Sequence, residues 1–339
     1  MVRAKRLSSR PVQQQGAALL MAMIIVTLVA TFSASMVWQQ WRAVQIEAAE
    51  RVQAQSSWVL IGALDWARLI LKEDKRNGGP DSLGEPWAIP LAEARLSSFL
   101  ATDQDSSADD APEAFLSGQV EDMTSRYNLR NILSDQGDVV PEELAVLKQL
   151  CEYAGVPSTL ANTLADAYRK ATLAAQGDDP DTLAKLGGSA ARAMAPLLPQ
   201  SMDQLTWLGL DAGTVEKLKP YLTLLPERTQ VNINTAPKEV IASVIDGLDL
   251  ARAARIVQAR QRNAFKAVDE VTALLAMPSL NLTRVSIASD FFEVRGRLRY
   301  DDNIIEQRHL VQRTGDDVVV RSRARFSGVD KPYEGSPPP

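Results

Sequence analysis

The chain holds one histidine, His309, and one cysteine, Cys151, among its 339 residues. A Ser-His-Asp triad would have to use His309, and a Cys-His dyad would consume Cys151 as well. Neither a Cys/His zinc site nor a disulfide within one chain can be built from that stock. Cys151 shares the apolar stripe of a predicted helix with Leu144, Leu147, Leu150 and Ala154, the place of a small core residue. His309 lies inside a β-rich run, where packing explains it. An enzyme acting through His309 is the one catalytic alternative that the counts leave open.

Carboxylates cluster at Asp103, Asp105, Asp109, Asp110 and Glu113, with no basic residue among them. As an EF-hand the segment fails: Ala108 stands at the obligatory Gly position and Ala114 at that of the bidentate Glu. A solvated loop is the plain reading, with loose calcium coordination as the alternative. No other cofactor and no metal site is expected.

The sharpest local motif is Val231-Asn232-Ile233-Asn234-Thr235-Ala236-Pro237. It leads into a predicted helix over 238–245, the turn Asp246-Gly247-Leu248-Asp249, and a helix from about Leu250 to Arg262. Thr235 is placed to cap the first helix, with Pro237 in its first turn, and Asp249 to cap the second. The pattern resembles a helix-hairpin-helix (SAM-like) unit of the kind known from DNA-binding and competence proteins. Such a unit contacts phosphates through a Gly-x-Gly turn whose amides lie open. Here Asp249 stands where the second Gly would be, and Asp246 precedes Gly247. From Thr229 to Val271 six basic residues meet five acidic ones, which is no footprint for a polyanion. No nucleic-acid partner is expected, and a membrane-anchored DNA-binding protein of the competence type is the alternative.

These groups are carried by elements that begin at a membrane signal. Arg3, Lys5, Arg6 and Arg10 fall in the first ten residues with no acid. From Ala17 to Trp38 follow 22 residues without charge, Gly or Pro. A helix rising ~1.5 Å per residue would carry them roughly 33 Å, enough for a hydrocarbon core of about 30 Å. Trp38 and Trp41 suit an interfacial belt, and the basic start favours a cytoplasmic N-terminus with everything beyond Arg42 outside. A cleavable secretory signal cut near Ser33-Ala34-Ser35 and a plain signal anchor are two readings of this stretch. In a third, Gly16 ends a basic leader directly before an unbroken apolar helix, which resembles the type IV prepilin class III signal.

That resemblance implies cleavage between Gly16 and Ala17 by a prepilin peptidase, which also N-methylates Ala17. Pilins carry Glu at the fifth mature position, and here that position is Met21. A carboxylate inside the bilayer is expensive unless it finds a cation, which a neighbouring subunit's terminal ammonium supplies. A subunit without it can be first in a filament but is poorly suited to its middle.

The helical pattern continues past the membrane. No Pro occurs from Arg42 to Lys75, and Val52, Val59, Ala63, Trp66 and Ile70 recur along one stripe. A single helix from 17 to about 75 is the favoured reading, against an anchor followed by a separate core helix. Asn77-Gly78-Gly79-Pro80 ends it. Leu91 to Leu100 reads as a short helix and Phe115 to Leu129 as strand-like. The chain is mostly helical from Pro141 to about Leu280. Asp290–Tyr300, Asn303–Arg313 and Asp317–Phe326 then form an antiparallel meander. Arg295, Arg297 and Arg299 alternate, as do Arg321, Arg323 and Arg325, so each triplet lies on one strand face. A solvated face accounts for them, and an acidic partner surface is the sharper option.

The order matches a pilin-like α+β domain whose antiparallel sheet is interrupted by a large inserted all-α domain. It resembles the type II secretion minor pseudopilin family, general secretion pathway protein K. Gly16/Ala17, Met21, the run from Ala63 to Leu71, Gly84 to Ala88, Tyr127-Asn128-Leu129 and Val231 to Pro237 carry the resemblance. The implied organisation is a leader over 1–16, the membrane part of the helix over 17–40 and its periplasmic part over 41–75. A first part of the pilin-like domain follows over 76–130, the helical insertion over 131–287, a β-meander over 288–327 and a disordered tail over 328–339. The family role implied is non-enzymatic: a tip subunit that joins minor pseudopilins of types I and J and starts the pseudopilus. Prepilin peptidase and inner-membrane lipid are the other partners implied, with a single pass and a periplasmic body. Loss of the leader would leave 33 basic residues against 42 acidic ones, so the exported part is distinctly acidic.

Overall fold

The computed structural model describes residues 15–96, 114–177, 179–300 and 303–329. It divides into two units, Met1–Val59 and Leu60–Pro339. Helix α1 spans Gln15–Asn77, with its portion through Val59 in the first unit and the rest in the second. In the first unit the apolar side chains of α1 are exposed, Leu20, Ile24, Leu28 and Phe32 among them. Two threonine hydroxyls in that stretch are satisfied internally. Thr27 donates to the carbonyls of Met23 and Ile24 (3.0 and 2.9 Å) and Thr31 to Leu28 (2.8 Å), the arrangement an apolar surround requires. Arg42 lies 5.8 Å over the Trp38 ring, which keeps the first charge at an aromatic end of the span.

In the second unit a five-stranded antiparallel sheet has the order β1-β2-β7-β8-β9. Its strands are β1 Leu91–Arg95, β2 Ala114–Asp122, β7 Phe291–Tyr300, β8 Asn303–Thr314 and β9 Asp317–Val329. The portion of α1 from Leu60 packs on one face of this sheet. Leu64, Ala67 and Leu71 bury against Phe292, Val294, Val311 and Val318, with Trp87 edge-on to Phe292 at 5.1 Å. Each fully buried leucine contributes roughly 1.5–3 kcal/mol. The helix comes close because Gly296 presents no side chain: a Cβ there would lie 3.0 Å from Leu60 Cδ2.

Neighbouring strands β2 and β7 are separated in sequence by a helical body. It contains α2 Pro141–Tyr153, α3 Thr159–Gln176, α4 Pro180–Leu186, α5 Ser189–Ala193 and α6 Ala212–Leu218. Then come α7 Lys238–Val244, α8 Leu250–Arg262 and α9 Glu270–Leu275. Its core runs in sequence from Tyr127 to Val285 and includes Leu147, Leu150, Leu164, Ile241 and Ile256. Pro141 opens α2 with Glu142 and Glu143 in its first turn, a sequence-encoded start. Two short parallel pairs interrupt the helical character: β3 (Tyr127–Asn128) with β4 (Leu222–Thr223), and β5 (Val231–Asn232) with β6 (Val285–Ser286).

Three expectations change. Leu91–Arg95 is an edge strand and not the start of a helix, because it pairs with Phe115, Leu116 and Gly118 of β2; tertiary pairing overrides a local helical pattern. Thr235 does not cap α7, because its hydroxyl is drawn to a buried carboxylate described below. Gly328 and Val329, expected in the disordered tail, instead end β9, because their backbone pairs with Ile304 and Asn303 of β8. Residues 1–14 of the 1–16 leader, the acidic segment at 103–113 and residues 330–339 of the tail lie outside the described residues.

Candidate assembly site

A buried polar cluster lies where α1, the sheet and the helical body converge. Its centre is Arg313 on β8, whose side chain is 2% exposed. Nη1 donates to Asp81 Oδ1 (2.5 Å), Nη2 to Asp74 Oδ2 and Nε to the carbonyl of Leu71 (3.1 Å). Its guanidinium also stacks 4.5 Å over the Phe292 ring. The other oxygen of Asp81 accepts the backbone N–H of Ser289 at 2.6 Å. Burial outweighs these favourable contacts and holds the Asp81 carboxyl up at about 6.

Asp122, at the end of β2, accepts from every side. Its Oδ1 takes Thr124 N and Oγ1 (2.8 and 2.7 Å). Its Oδ2 takes Asn232 Nδ2 (3.1 Å), Thr235 Oγ1 (2.5 Å) and Ser289 Oγ (2.6 Å). Asn232 also donates to the Asp81 carbonyl, and its own oxygen accepts Asn234 N. This accounts for the spacing of the Val231–Pro237 motif. Asn232 and Thr235 reach the sheet, whereas Asn234 turns the other way and pairs reciprocally with the backbone of Phe265 (2.9 and 3.0 Å). Arg260 on α8 closes the loop from beneath, donating to the carbonyls of Ile233 and Ala236 at 2.6 Å. Burial lowers that guanidinium to about 10.

Asp74, Asp81 and Glu85 bring carboxylate oxygens within 4.8 Å of one another. They do not suit a metal ion, because Arg313 already lies against the first two. Glu85 meanwhile accepts from Trp87 Nε1 (2.6 Å) and Ser82 N (3.0 Å). The fixed cation of this site is a guanidinium.

The hairpin turn is also self-satisfied. Gly247 adopts φ +74°, where a side chain would be strained. Asp249 accepts the N–H of Arg252 at 2.8 Å, so its own carboxylate occupies the first turn of α8 that a phosphate would need. Asp246 pairs with Arg284 at 3.2 Å, and Arg284 pairs in turn with Glu143 at 2.7 Å. At the other end of the chain, Gly16 and Ala17 lie in the opening turn of α1, and Met21 is exposed on it.

His309 is 2% exposed and its Nε2 has no hydrogen-bond partner. Burial, with the Arg323 charge behind it, lowers its pKa to about 4. Among the described residues it has no acid or nucleophile bonded to it, so it is poorly placed for general-base work. Cys151 is buried and its thiol is pushed up to about 11, the character of a core residue. Sequence reasoning missed Asp81, Asp122, Ser289 and Arg313. They converge from separations as large as 232 residues, and no local spacing announces them.

Residues 125–227 and 231–294 match two parts of the family described as Type II secretion system (T2SS), protein K. The protein of that name from Pseudomonas aeruginosa is 27% identical over 329 residues, covering 93% of each chain. The one from Pectobacterium carotovorum is 25% identical, covering 92% of this chain and 96% of the relative. Among solved structures, the crystal structure of the GspK-GspI-GspJ complex from enterotoxigenic Escherichia coli contains a chain with the same fold. The TM-score is 0.59 at 18% identity, over 82% of this chain and 98% of that one.

Proposed function

The chain belongs to the type II secretion system protein K family, the minor pseudopilins, and from that premise we propose that it is the tip subunit that starts the pseudopilus. The observation that carries this is Met21. In a span without any carboxylate, the fifth residue after Gly16 offers nothing to a preceding subunit's ammonium, so the subunit needs none before it. The helical body supports the same reading, since a bulky insertion between β2 and β7 leaves little room for a subunit stacked above. Types I and J are the partners proposed, as in the complex whose printed title names GspI and GspJ. The apolar helix anchors the chain in the inner membrane in a single pass. We place its basic start in the cytoplasm and the sheet and helical body in the periplasm, with export across the outer membrane as the process served.

Mass spectrometry of the mature chain tests the premise. N-methyl-Ala17 is the expected terminus, and an intact Met1 or a cut near Ser35 overturns the pseudopilin reading. Counting pseudopili in cells lacking the chain tests the tip role. Fewer pseudopili of ordinary length are expected, and an unchanged number overturns initiation.

A further inference from the structure

The two edges of the sheet are finished differently. At one edge, β1 has five residues and its pairing with β2 is interrupted between Leu91 and Ala94, a short and irregular edge of the kind that resists pairing. At the other, β9 has thirteen residues and no strand on its far side among the described residues. Its pairing with β8 is regular from Asn303↔Val329 to Leu310↔Ser322. From Arg321 to Gly328 every residue is exposed, so neither sheet face is covered along that stretch.

The arginines differ in the same way. Those of β7 and β8 are matched: Arg295 with Glu293 (3.0 Å), Arg299 with Glu93 (2.7 Å) and Arg308 with Glu306 (2.6 Å). On β9, Arg321 donates among the described residues only to the Gln312 side-chain oxygen (2.7 Å). Arg323 and Arg325 make no hydrogen bond or ion pair among the described residues. They stand opposite His309 and Gln307 in register and so share one face. Unmatched positive charge on the open edge of an acidic chain deters a second copy, which would set arginine against arginine. The same charge attracts a strand of opposite sign.

We propose that β9 is a docking edge for an extended acidic segment of a protein partner. The segment adds as a further strand, its backbone paired with β9 and carboxylates at alternate positions opposite Arg323 and Arg325, while Arg321, at the register shift beside Leu310, adds charge at the end of the edge. The inference rests on this edge alone and is independent of the tip role.

The test uses the full chain in detergent micelles and fluorescence anisotropy of labelled ten-residue peptides. A peptide of alternating Glu and Val is expected to bind saturably and more weakly as salt rises. Arg321→Glu/Arg323→Glu/Arg325→Glu is expected to lose at least about ten-fold in affinity, and the triple Lys variant to keep most of it. Should the triple Glu variant fail to fold, Arg323→Gln/Arg325→Gln removes two charges from exposed positions and is expected to weaken binding in the same direction. Equal binding of an alternating Gln/Val peptide, or unchanged affinity in both variants, overturns the proposal. So does equal binding of an acidic peptide N-methylated at alternate amides, which keeps the charge and loses the pairing. Displacement of the peptide by duplex DNA at lower concentration than by unlabelled peptide also overturns it, because a polyanion site would then be the better description.

Discussion

Where α1 meets the helical body, Asp81, Asp122 and Asn232 are almost fully buried, and every polar atom of their side chains is bonded. Farther along β8, Gln307 and His309 are buried to the same degree. There the Gln307 Oε1 and His309 Nε2 atoms are left without partners, beside a cavity of about 50 Å³ lined also by Leu60, Trp66 and Trp87. The first region draws its groups from α1, β2, β5 and β8, so closing all its bonds fixes the inserted body against the sheet. The second joins only a helix to a sheet, an interface that apolar packing already specifies, and it keeps room. The contrast separates a rigid junction from a helix seat with slack.

Breaking the junction at Arg313 has the largest expected effect. Arg313→Leu leaves Asp74 and Asp81 facing each other without a cation, and removing one partner of a buried ion pair costs about 3–5 kcal/mol. Urea denaturation of the purified chain measures it, and a loss under about 1 kcal/mol would show that the pairs are dispensable. Asn232→Ala comes next. It unsatisfies Asp122 in part and frees the Asn234 N–H, for an expected loss of about 1–3 kcal/mol. Gln307→Leu in the helix seat removes an atom that is already unpartnered, so it is expected to be neutral or stabilising in the same assay.

Legibility in the sequence divided along the same line. Elements set by local chemistry were readable: Pro141 opening α2, Asp249 opening α8, and the three-stranded meander, although a register shift beside Leu310 takes Arg321 out of the face expected for it with Arg323 and Arg325. β1 was not, because five residues with apolar spacing take their conformation from β2, about twenty residues on. Thr235 looked like a helix cap by position, and only the distant Asp122 diverts it. The Arg313 cluster was illegible for the same reason, since charge pairs at such separations leave no period or motif. Asn232 and Asn234 were visible as a motif, whereas their opposite directions were not.

The two regions also respond to acid with opposite sign, and an intermediate effect is expected. The Asp81 carboxyl sits near 6 in the fold and near 3.8 when released, so between those values folding takes up a proton. Its contribution is fully present below about 4 and is lost as pH rises through 6. His309 sits near 4 in the fold and near 6.5 when released, so folding expels a proton over nearly the same window. Its contribution is present above about 6.5 and lost as pH falls toward 4. The two slopes oppose each other. Asp81→Asn is expected to lower the urea midpoint more steeply on acidification than the parent, and His309→Gln to make it fall less or rise. Parallel profiles for both variants would remove this assignment.

The smallest effect tests the slack itself. Gly296 and Gly118 face each other across β7 and β2 on the floor of the helix seat. In Gly296→Ala the new methyl meets only the end of a leucine side chain, Leu60 Cδ2 at 3.0 Å. In a filled core such a methyl forces backbone shifts that cost about 1–3 kcal/mol. Here Leu60 borders the cavity and can turn into it, and alanine also suits a strand better than glycine. The two tendencies nearly cancel, so the change is expected to stay within about 1 kcal/mol of zero. Gly118→Ala is the control. Its methyl would meet the carbonyl oxygen of Arg295 at 3.0 Å, backbone that cannot swing aside, and it should cost more. Equal losses for the two alanines would mean that the seat is as rigid as the junction.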